Sequence, residues 1–153
     1  QVFILQGVFL YIISLPILYI NKSENTPFIW LDILGLTIWC IGFYYEAVGD
    51  AQLVRFKKNP QNKGRLMQEG LWSNTRHPNY FGEVIQWWGI GIIALTLQDG
   101  WMNLIGPITI TYLILKVSGI PMLEKNMESH PDFENYKKKV NAFFPRIRFL
   151  NKN

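Results

Sequence analysis

Four long apolar blocks alternate with polar segments along the chain. The blocks occupy residues 2–20, 28–49, 78–97 and 101–119. A helix of about 20 apolar residues crosses the hydrocarbon core of a bilayer, and a helix satisfies its own backbone hydrogen bonds there. The pattern therefore predicts an all-α, polytopic transmembrane helical bundle with four spans. The whole chain, 1–153, is predicted to be one membrane domain.

The positive charges are divided unequally between the two sides of the predicted bundle. The loop 50–77 and the tail 120–153 fall on one side, and Lys22 is the only one of the 15 Lys and Arg residues in a connector on the other side. Because cytoplasmic loops carry the excess of Lys and Arg, the loop and the C terminus are predicted to be cytoplasmic. Basic residues beside membrane spans suit anionic membrane lipid, so the net charge of +4 does not indicate nucleic acid.

A short amphipathic helix is predicted in the tail. Phe133, Tyr136 and Val140 are spaced three and four residues apart, which places them on one helical face. Such a helix lies either on the membrane surface or against the bundle. The dipeptide Ile120-Pro121 is predicted to end the fourth span, because proline breaks a continuing helix.

Candidate chemistry concentrates in the polar stretch before the third block. Pro78 suits the first turn of a helix, where no amide donor is needed, so it is predicted to open the third span. The free amides of that turn, with Arg76 and His77 beside them, form a ready site for an anion.

Three polar or aromatic residues follow one face of the third span. Asn79, Glu83 and Trp87 are four residues apart. A carboxylate inside a membrane helix is costly and normally faces the protein interior, a partner or water, so we interpret this face as part of a binding site. The alternative is structural: Glu83 pairs with a loop cation, such as Arg76, to fix the helix, and Asn79 only caps it.

The sequence shows no familiar metal or nucleotide motif. His77, His130 and Cys40 do not form a zinc-ligand pattern, and there is no glycine-rich Rossmann fingerprint or P-loop. No metal is therefore expected, and any nucleotide must be held in another way.

The stretch from Thr75 to Glu83, Thr-Arg-His-Pro-Asn-Tyr-Phe-Gly-Glu, resembles the C-terminal part of the steroid 5-alpha-reductase-like membrane proteins, in particular their uncharacterised bacterial branch. The resemblance covers essentially the whole chain, because residues 6–16 look like a helix of that branch and residues 118–124 and 143–145 look like its ending. The broad superfamily includes sterol reductases and isoprenylcysteine carboxyl methyltransferases. Its members are longer, so the chain is expected to lack their N-terminal helices. Those helices carry the substrate-side acid and tyrosine, and no catalytic proton donor is assigned.

What the resemblance implies is a bundle that opens to the cytosol and holds NADPH there. Lys57, Arg65 and Arg76 would neutralise the phosphates of NADPH, and Asn79 can offer the nicotinamide amide both a donor and an acceptor. Lys57 stands where the animal steroid reductases tend to have Arg, which keeps the charge but loses the bidentate fork. With their neighbours in the sequence, the candidate cofactor-binding residues are Asp50, Lys57, Arg65, Arg76, His77, Asn79, Tyr80, Glu83, Trp87, Glu124 and Tyr136.

The function that this resemblance implies is an integral-membrane, NAD(P)H-dependent reductase of a carbon–carbon double bond in a steroid-like or other lipid enone. The first alternative is an S-adenosylmethionine-dependent methyltransferase of the isoprenylcysteine type, whose pocket must accept a zwitterion without phosphate. The Asn79/Glu83 pair and the loop cations favour the reductase. The second alternative is a non-catalytic membrane subunit whose polar loop binds anionic lipid.

Overall fold

A computed structural model describes residues 2–23 and 27–146 of the chain. These residues form helices and connecting turns, and no β-strand is found among them. The prediction of an all-α membrane bundle is confirmed. The α-helices are α1 (Val2–Lys22), α2 (Trp30–Lys58), α3 (Pro78–Ala94), α4 (Ile105–Tyr112), α5 (Ile120–Met127) and α6 (Phe133–Lys139).

Within the described residues, three helical segments are long and apolar enough to cross a membrane. They are Val2–Lys22, Trp30–Lys58 and Gly100–Met127. Many large apolar side chains on these segments are exposed on the protein surface. This is expected of helices that face lipid, because the lipid tails surround such side chains. The chain is therefore an integral membrane protein that crosses the bilayer more than once. The 17-residue α3 is not among the three, so the predicted span 78–97 stays a prediction.

Helix α2 is longer than the apolar block from which it was predicted. It begins at Trp30, where the Asp32 carboxylate accepts a hydrogen bond of 2.7 Å from the backbone N–H of Ile29. It ends at Lys58, because Pro60 disfavours the helical conformation of the preceding Asn59. Residues 50–58 are thus helical rather than part of a loop, and the connector to α3 begins at residue 59.

The fourth apolar block forms an irregular helix. A 3₁₀ turn (Gly100–Leu104) precedes α4, and a π-helical segment (Leu113–Val117) follows it. The sequence predicted a break at Ile120-Pro121, but the helix is interrupted at residues 118–119. Pro121 instead lies in the first turn of α5, where its missing N–H costs nothing.

Five glycines, which we call the glycine interface, join α2 to α3: Gly35, Gly42, Gly49, Gly82 and Gly89. A Cβ atom at Gly42 would lie 2.6 Å from the carbonyl oxygen of Gly82, and one at Gly89 would lie 2.6 Å from that of Gly35. The two backbones therefore touch, as small residues allow between membrane helices. Because Gly49 meets the first residues of α3, the helices are antiparallel and the end of α2 stands beside the start of α3.

Helix α1 packs against α4 on another side of the bundle. A Cβ atom at Gly106 would lie 2.7 Å from the carbonyl oxygen of Ile13 and 2.9 Å from the ring of Pro16. The Tyr19 hydroxyl donates a hydrogen bond to the carbonyl oxygen of Gln98, so the end of α1 meets the turn after α3. The connector between α2 and α3 lies at the opposite end of the bundle.

Candidate functional site

The connector 59–77 and the tail 120–146 are joined into one polar layer at this end of the bundle. The fully buried Thr75 hydroxyl lies 3.0 Å from the carbonyl oxygen of Ala142 and 2.9 Å from that of Phe143. The backbone N–H of Arg76 donates to the carbonyl oxygen of Asn141 at 2.9 Å. Loop and tail therefore lie on the same side of the bundle, and the cytoplasmic orientation of that side stays a prediction.

The predicted amphipathic face of the tail helix is confirmed, and it packs against the bundle. Phe133, Tyr136 and Val140 are buried together and contact Leu66 of the connector and Met127 of α5. Of the two positions predicted for this helix, on the membrane surface or against the bundle, the structure shows the second. Its apolar face is covered by the polar layer.

Tyr136 connects this helix to α2 through Trp72. Its hydroxyl donates to the buried carbonyl oxygen of Trp72, and the Trp72 indole N–H donates to the carbonyl oxygen of Gly49 at 3.0 Å. Burial raises the pKa of Tyr136 well above its ordinary value, so the phenol stays protonated and remains a donor.

Removing the Tyr136 hydroxyl should measurably destabilise the protein. In Tyr136→Phe the buried Trp72 carbonyl loses its partner, which costs about 1–3 kcal/mol. Thermal unfolding of the detergent-solubilised protein measures this, with Tyr11→Phe as control because Tyr11 is exposed on α1. Equal unfolding midpoints for the two variants would contradict the assignment of this hydrogen bond.

Arg76 and His77 share one carboxylate acceptor. Atom Oε1 of Glu124 lies 2.8 Å from Nε and 2.7 Å from Nη2 of Arg76, and 3.1 Å from Nε2 of His77. Arg76 Nη1 donates to the carbonyl oxygen of Val140. Exposed fractions of the Arg76, Glu124 and His77 side chains are only 7 %, 17 % and 1 %. The alternative in which Arg76 pairs with Glu83 is therefore wrong, because the partner comes from α5.

His77 is a neutral donor in this cluster. Burial lowers the pKa of His77 below its ordinary value, and the Glu124 carboxylate opposes this shift without reversing it. The short contact with Glu124 assigns the proton to Nε2. Because the unfolded chain gains a proton near pH 6.5 and the folded one resists it, His77 lowers stability as the pH falls below that value.

A cavity of about 350 Å³ opens between the end of α2, the connector and the tail helices. Five candidate residues line it: Lys57, Arg65, Arg76, Asn79 and Tyr136. Its apolar walls include Phe56 of α2 and Leu123 and Met127 of α5. The site therefore combines basic side chains with an apolar lining, as small-molecule sites commonly do.

Asn79, which lines this cavity, carries an unpaired acceptor. Its Oδ1 is buried and, within the described residues, has no hydrogen-bond partner. Asn79 does not cap α3, since the N-cap residue is His77 and no side-chain cap bond forms there. An unpaired buried acceptor costs about 1–3 kcal/mol, so this oxygen is suited to a ligand that supplies a donor.

The other candidates lie outside the cavity wall. Glu124 lies behind it and holds Arg76, His77 contacts Glu124, and Tyr80 stacks on the His77 ring at a centroid distance of 5.8 Å. Glu83 is half-buried, and Asp50 is exposed near it. Trp87 is half-buried further along α3 and does not line the cavity.

Sequence reasoning missed several residues that shape this site. Lys63 lines the cavity, but in the sequence it belongs to a run of charges typical of a solvated loop. Gln86 of α3 donates to the Glu46 carboxylate of α2, which adds a side-chain contact between these two helices. Only the four-residue spacing of Leu123 and Met127 hinted that both lie on one face of a helix.

The family described as "Protein of unknown function (DUF1295)" matches residues 1–140. The chain belongs to the DUF1295 family. The resemblance to steroid 5-alpha-reductase-like proteins is also confirmed, because several relatives carry such names.

Three relatives each match a part of the chain. Steroid 5-alpha-reductase DET2 of Gossypium hirsutum is 32 % identical over 77 residues, 50 % of this chain and 30 % of that protein. 3-oxo-5-alpha-steroid 4-dehydrogenase 1 of Rattus norvegicus is 23 % identical over 115 residues, 75 % of this chain and 41 % of that protein. Probable O-methyltransferase ustE of Ustilaginoidea virens is 41 % identical over 68 residues, 44 % of this chain and 22 % of that protein.

The part of the chain that matches spans less than half the length of these curated relatives. No solved structure matches the chain.

Proposed function

We propose that this chain carries the cofactor site of an integral-membrane, NADPH-dependent reductase that acts on a carbon–carbon double bond in a steroid-like or other lipid enone. One observation carries the proposal. Basic side chains line the same cavity as Asn79, whose amide oxygen is buried and has no hydrogen-bond partner among the described residues. Because the loop and the tail carry the excess of Lys and Arg, we expect this cavity to open to the cytoplasm.

The basic residues of the cavity have charge available for phosphates. Lys57, Lys63 and Arg65 are exposed, and no carboxylate of the described residues lies within ion-pair distance of them. Arg76 differs, because Glu124 already balances its charge. Phosphate oxygens form strong charge-assisted hydrogen bonds with Lys and Arg, which favours a cofactor with several phosphates.

The position of Asn79 suits the reactive end of such a cofactor. Its free Oδ1 can accept a hydrogen bond from the N–H of a carboxamide. Asn79 lies in the first turn of α3 against α2, so a ring held there lies next to the membrane helices, where a lipid substrate resides. Bound NADPH would supply the hydride, and these residues would bind and orient it.

A second candidate is a methyltransferase that uses S-adenosylmethionine. The similarity to a probable O-methyltransferase, 41 % over 68 residues, favours it. The ammonium group of that cofactor could also donate to Asn79. It carries no phosphate, however, and would leave the charges of Lys57, Lys63 and Arg65 largely unused.

A calorimetric titration separates these candidates. The purified natural protein in nanodiscs is titrated with NADPH and, separately, with S-adenosylmethionine. We expect binding of NADPH only. If the protein binds only S-adenosylmethionine, the methyltransferase replaces the reductase as the proposed function. If a protein shown to be folded binds neither compound, the result supports a non-catalytic role.

Replacing Asn79 by leucine should separate binding from stability. Asn79→Leu removes an acceptor that has no partner among the described residues, so we expect an unfolding temperature equal to or above that of the wild type. We expect NADPH affinity to fall about tenfold, since one hydrogen bond worth roughly 1.4 kcal/mol is lost. Asn126→Leu, on the exposed side of α5, is the control. A stable Asn79→Leu protein with unchanged NADPH affinity would refute the assignment.

A further inference from the structure

A separate groove lies between the last turns of α2 and the connector. Its volume is about 360 Å³. Phe56, Asn62 and Met67 form the wall that it shares with the cavity that Asn79 lines. The other residues of the groove do not line that cavity: Gln52, Arg55, Asn59, Glu69 and Gly70. The groove is therefore a distinct space with a polar lining of its own.

The groove contains two opposite charges that do not pair with each other. Arg55 and Glu69 both line it and are both exposed. Among the described residues, neither of them takes part in an ion pair. A guanidinium and a carboxylate that line one groove without meeting suit a ligand that carries both charges. A ligand with negative charge alone, such as free phosphate, would be opposed by Glu69.

Amide groups stand on both sides of Arg55. Gln52, Arg55 and Asn59 are three and four residues apart, which places them on one face of α2. The Oε1 atom of Gln52 accepts from the backbone N–H of Leu71 at 2.9 Å, and the Oδ1 atom of Asn59 accepts from that of Gln61 at 3.0 Å. Each amide therefore keeps its NH₂ group as a donor. A guanidinium between two such donors suits the oxygens of a phosphodiester.

We infer that this groove binds the headgroup of phosphatidylethanolamine from the surrounding bilayer, with the phosphate on Arg55 and the ammonium group on Glu69. The primary ammonium donates hydrogen bonds to a carboxylate, which the quaternary ammonium of phosphatidylcholine cannot do. Phosphatidylglycerol supplies no cation for Glu69. The inference is independent of the proposed function, because it needs no cofactor in the other cavity.

The depth of the groove favours a membrane lipid as the source of this headgroup. The apolar block of α2 from Trp30 to Gly49 is about 30 Å long, which is the thickness of the hydrocarbon core. Arg55 lies about 9 Å further along the helix, and the headgroup layer is about 5–8 Å thick on each side. Because helical side chains lean toward the N terminus of their helix, which here is the membrane side, the Arg55 guanidinium lies at the level of lipid phosphates.

Native mass spectrometry of the full chain in detergent tests this inference through lipid affinity. The protein is titrated separately with phosphatidylethanolamine, phosphatidylcholine and phosphatidylglycerol that carry the same acyl chains. We expect the wild type to bind phosphatidylethanolamine about fivefold more tightly than the other two, as one exposed charged contact allows. Equal affinities for the three lipids would overturn the inference.

Charge variants locate the site. Arg55→Gln and Glu69→Gln should each lower the affinity for phosphatidylethanolamine about fivefold, and Glu69→Gln should also raise the affinity for phosphatidylglycerol. Lys58→Gln and Glu128→Gln remove the same charges from exposed positions outside the groove and should leave the preference unchanged. If both groove variants keep the wild-type preference, the headgroup does not bind here.

A soluble analogue distinguishes a lipid from a free ester. Glycerophosphoethanolamine has the same headgroup but no acyl chains, so it should not displace the lipid at equal concentration. Displacement at equal concentration would show that the groove binds a soluble phosphoethanolamine ester, and the assignment to a bilayer lipid would then be wrong.

Discussion

Replacing Gly82 by alanine is expected to prevent formation of a stable bundle. The added Cβ would lie 2.5 Å from both the carbonyl oxygen of Gly42 and the backbone nitrogen of Glu46. These are backbone atoms of α2, so the contact can be relieved only if α2 and α3 move apart along their whole interface. Overpacking typically costs 1–3 kcal/mol of stability where side chains can adjust. Here the clashing atoms belong to the backbone and cannot adjust in this way, so we expect a loss of at least about 3 kcal/mol.

The matched control for Gly82→Ala is Gly7→Ala in α1. Gly7 is also inside an apolar helix, but nothing lies within 4 Å of its Cβ position. Alanine is favoured over glycine in a helix interior by about 1 kcal/mol, so Gly7→Ala should be neutral or stabilising. The yield of monodisperse protein and the thermal unfolding midpoint measure both variants. Wild-type stability of Gly82→Ala would show that the two backbones do not touch.

The glycine interface shows which part of the fold the sequence could indicate. Gly35, Gly42 and Gly49 recur every seven residues, a spacing that places them on one face of α2. A regular face can be recognised without a structure, but its partner cannot. That Gly82 and Gly89 meet this face depends on tertiary packing, which no local pattern in the sequence encodes.

Helix ends show a second limit of sequence reasoning. Hydropathy follows the surroundings of a segment and not its backbone conformation. The apolar block ends near Gly49, but the sequence contains no helix breaker until Asn59-Pro60, so α2 continues to Lys58. In contrast, Pro78 was a local signal with a direct physical meaning, and α3 begins there.

Only part of the predicted set of site residues lines the cavity. The resemblance supplied basic residues and an Asn whose amide offers both a donor and an acceptor. Which of them face one cavity depends on how the tail folds back onto the connector. Arg76 was predicted to bind a ligand phosphate, yet its guanidinium is held by Glu124, a partner 48 residues away in sequence. Glu83 was predicted on the binding face and lies beside Asp50 outside the cavity wall.

Breaking the pair between Arg76 and Glu124 is expected to have a comparably large effect. In Glu124→Ala the buried guanidinium of Arg76 loses its counter-charge, and His77 loses its acceptor. Removing one member of a buried ion pair costs about 3–5 kcal/mol, because the remaining charge stays desolvated. Thermal unfolding in detergent, read by the helical signal, measures this loss of stability.

Two further variants separate the pair from a general effect of charge. Glu134→Ala breaks the exposed contact with Lys137, which lies at 3.2 Å, and should cost less than about 1 kcal/mol. The double variant Arg76→Met/Glu124→Leu replaces the buried pair by apolar groups, which is often neutral, so it should recover most of the lost stability. A double variant as unstable as Glu124→Ala would show that the carboxylate stabilises the fold by some other contact.

The same variants connect stability to the cavity. Glu124 lies between Leu123 and Met127 on α5, and those two side chains line the cavity together with Arg76. The pair therefore sets the distance between the tail wall and the start of α3. If it acts mainly in this way, the double variant should regain stability and still bind NADPH, with a loss in affinity smaller than that of Asn79→Leu. A larger loss would mean that the Arg76 guanidinium touches the cofactor itself, despite its bonds to Glu124.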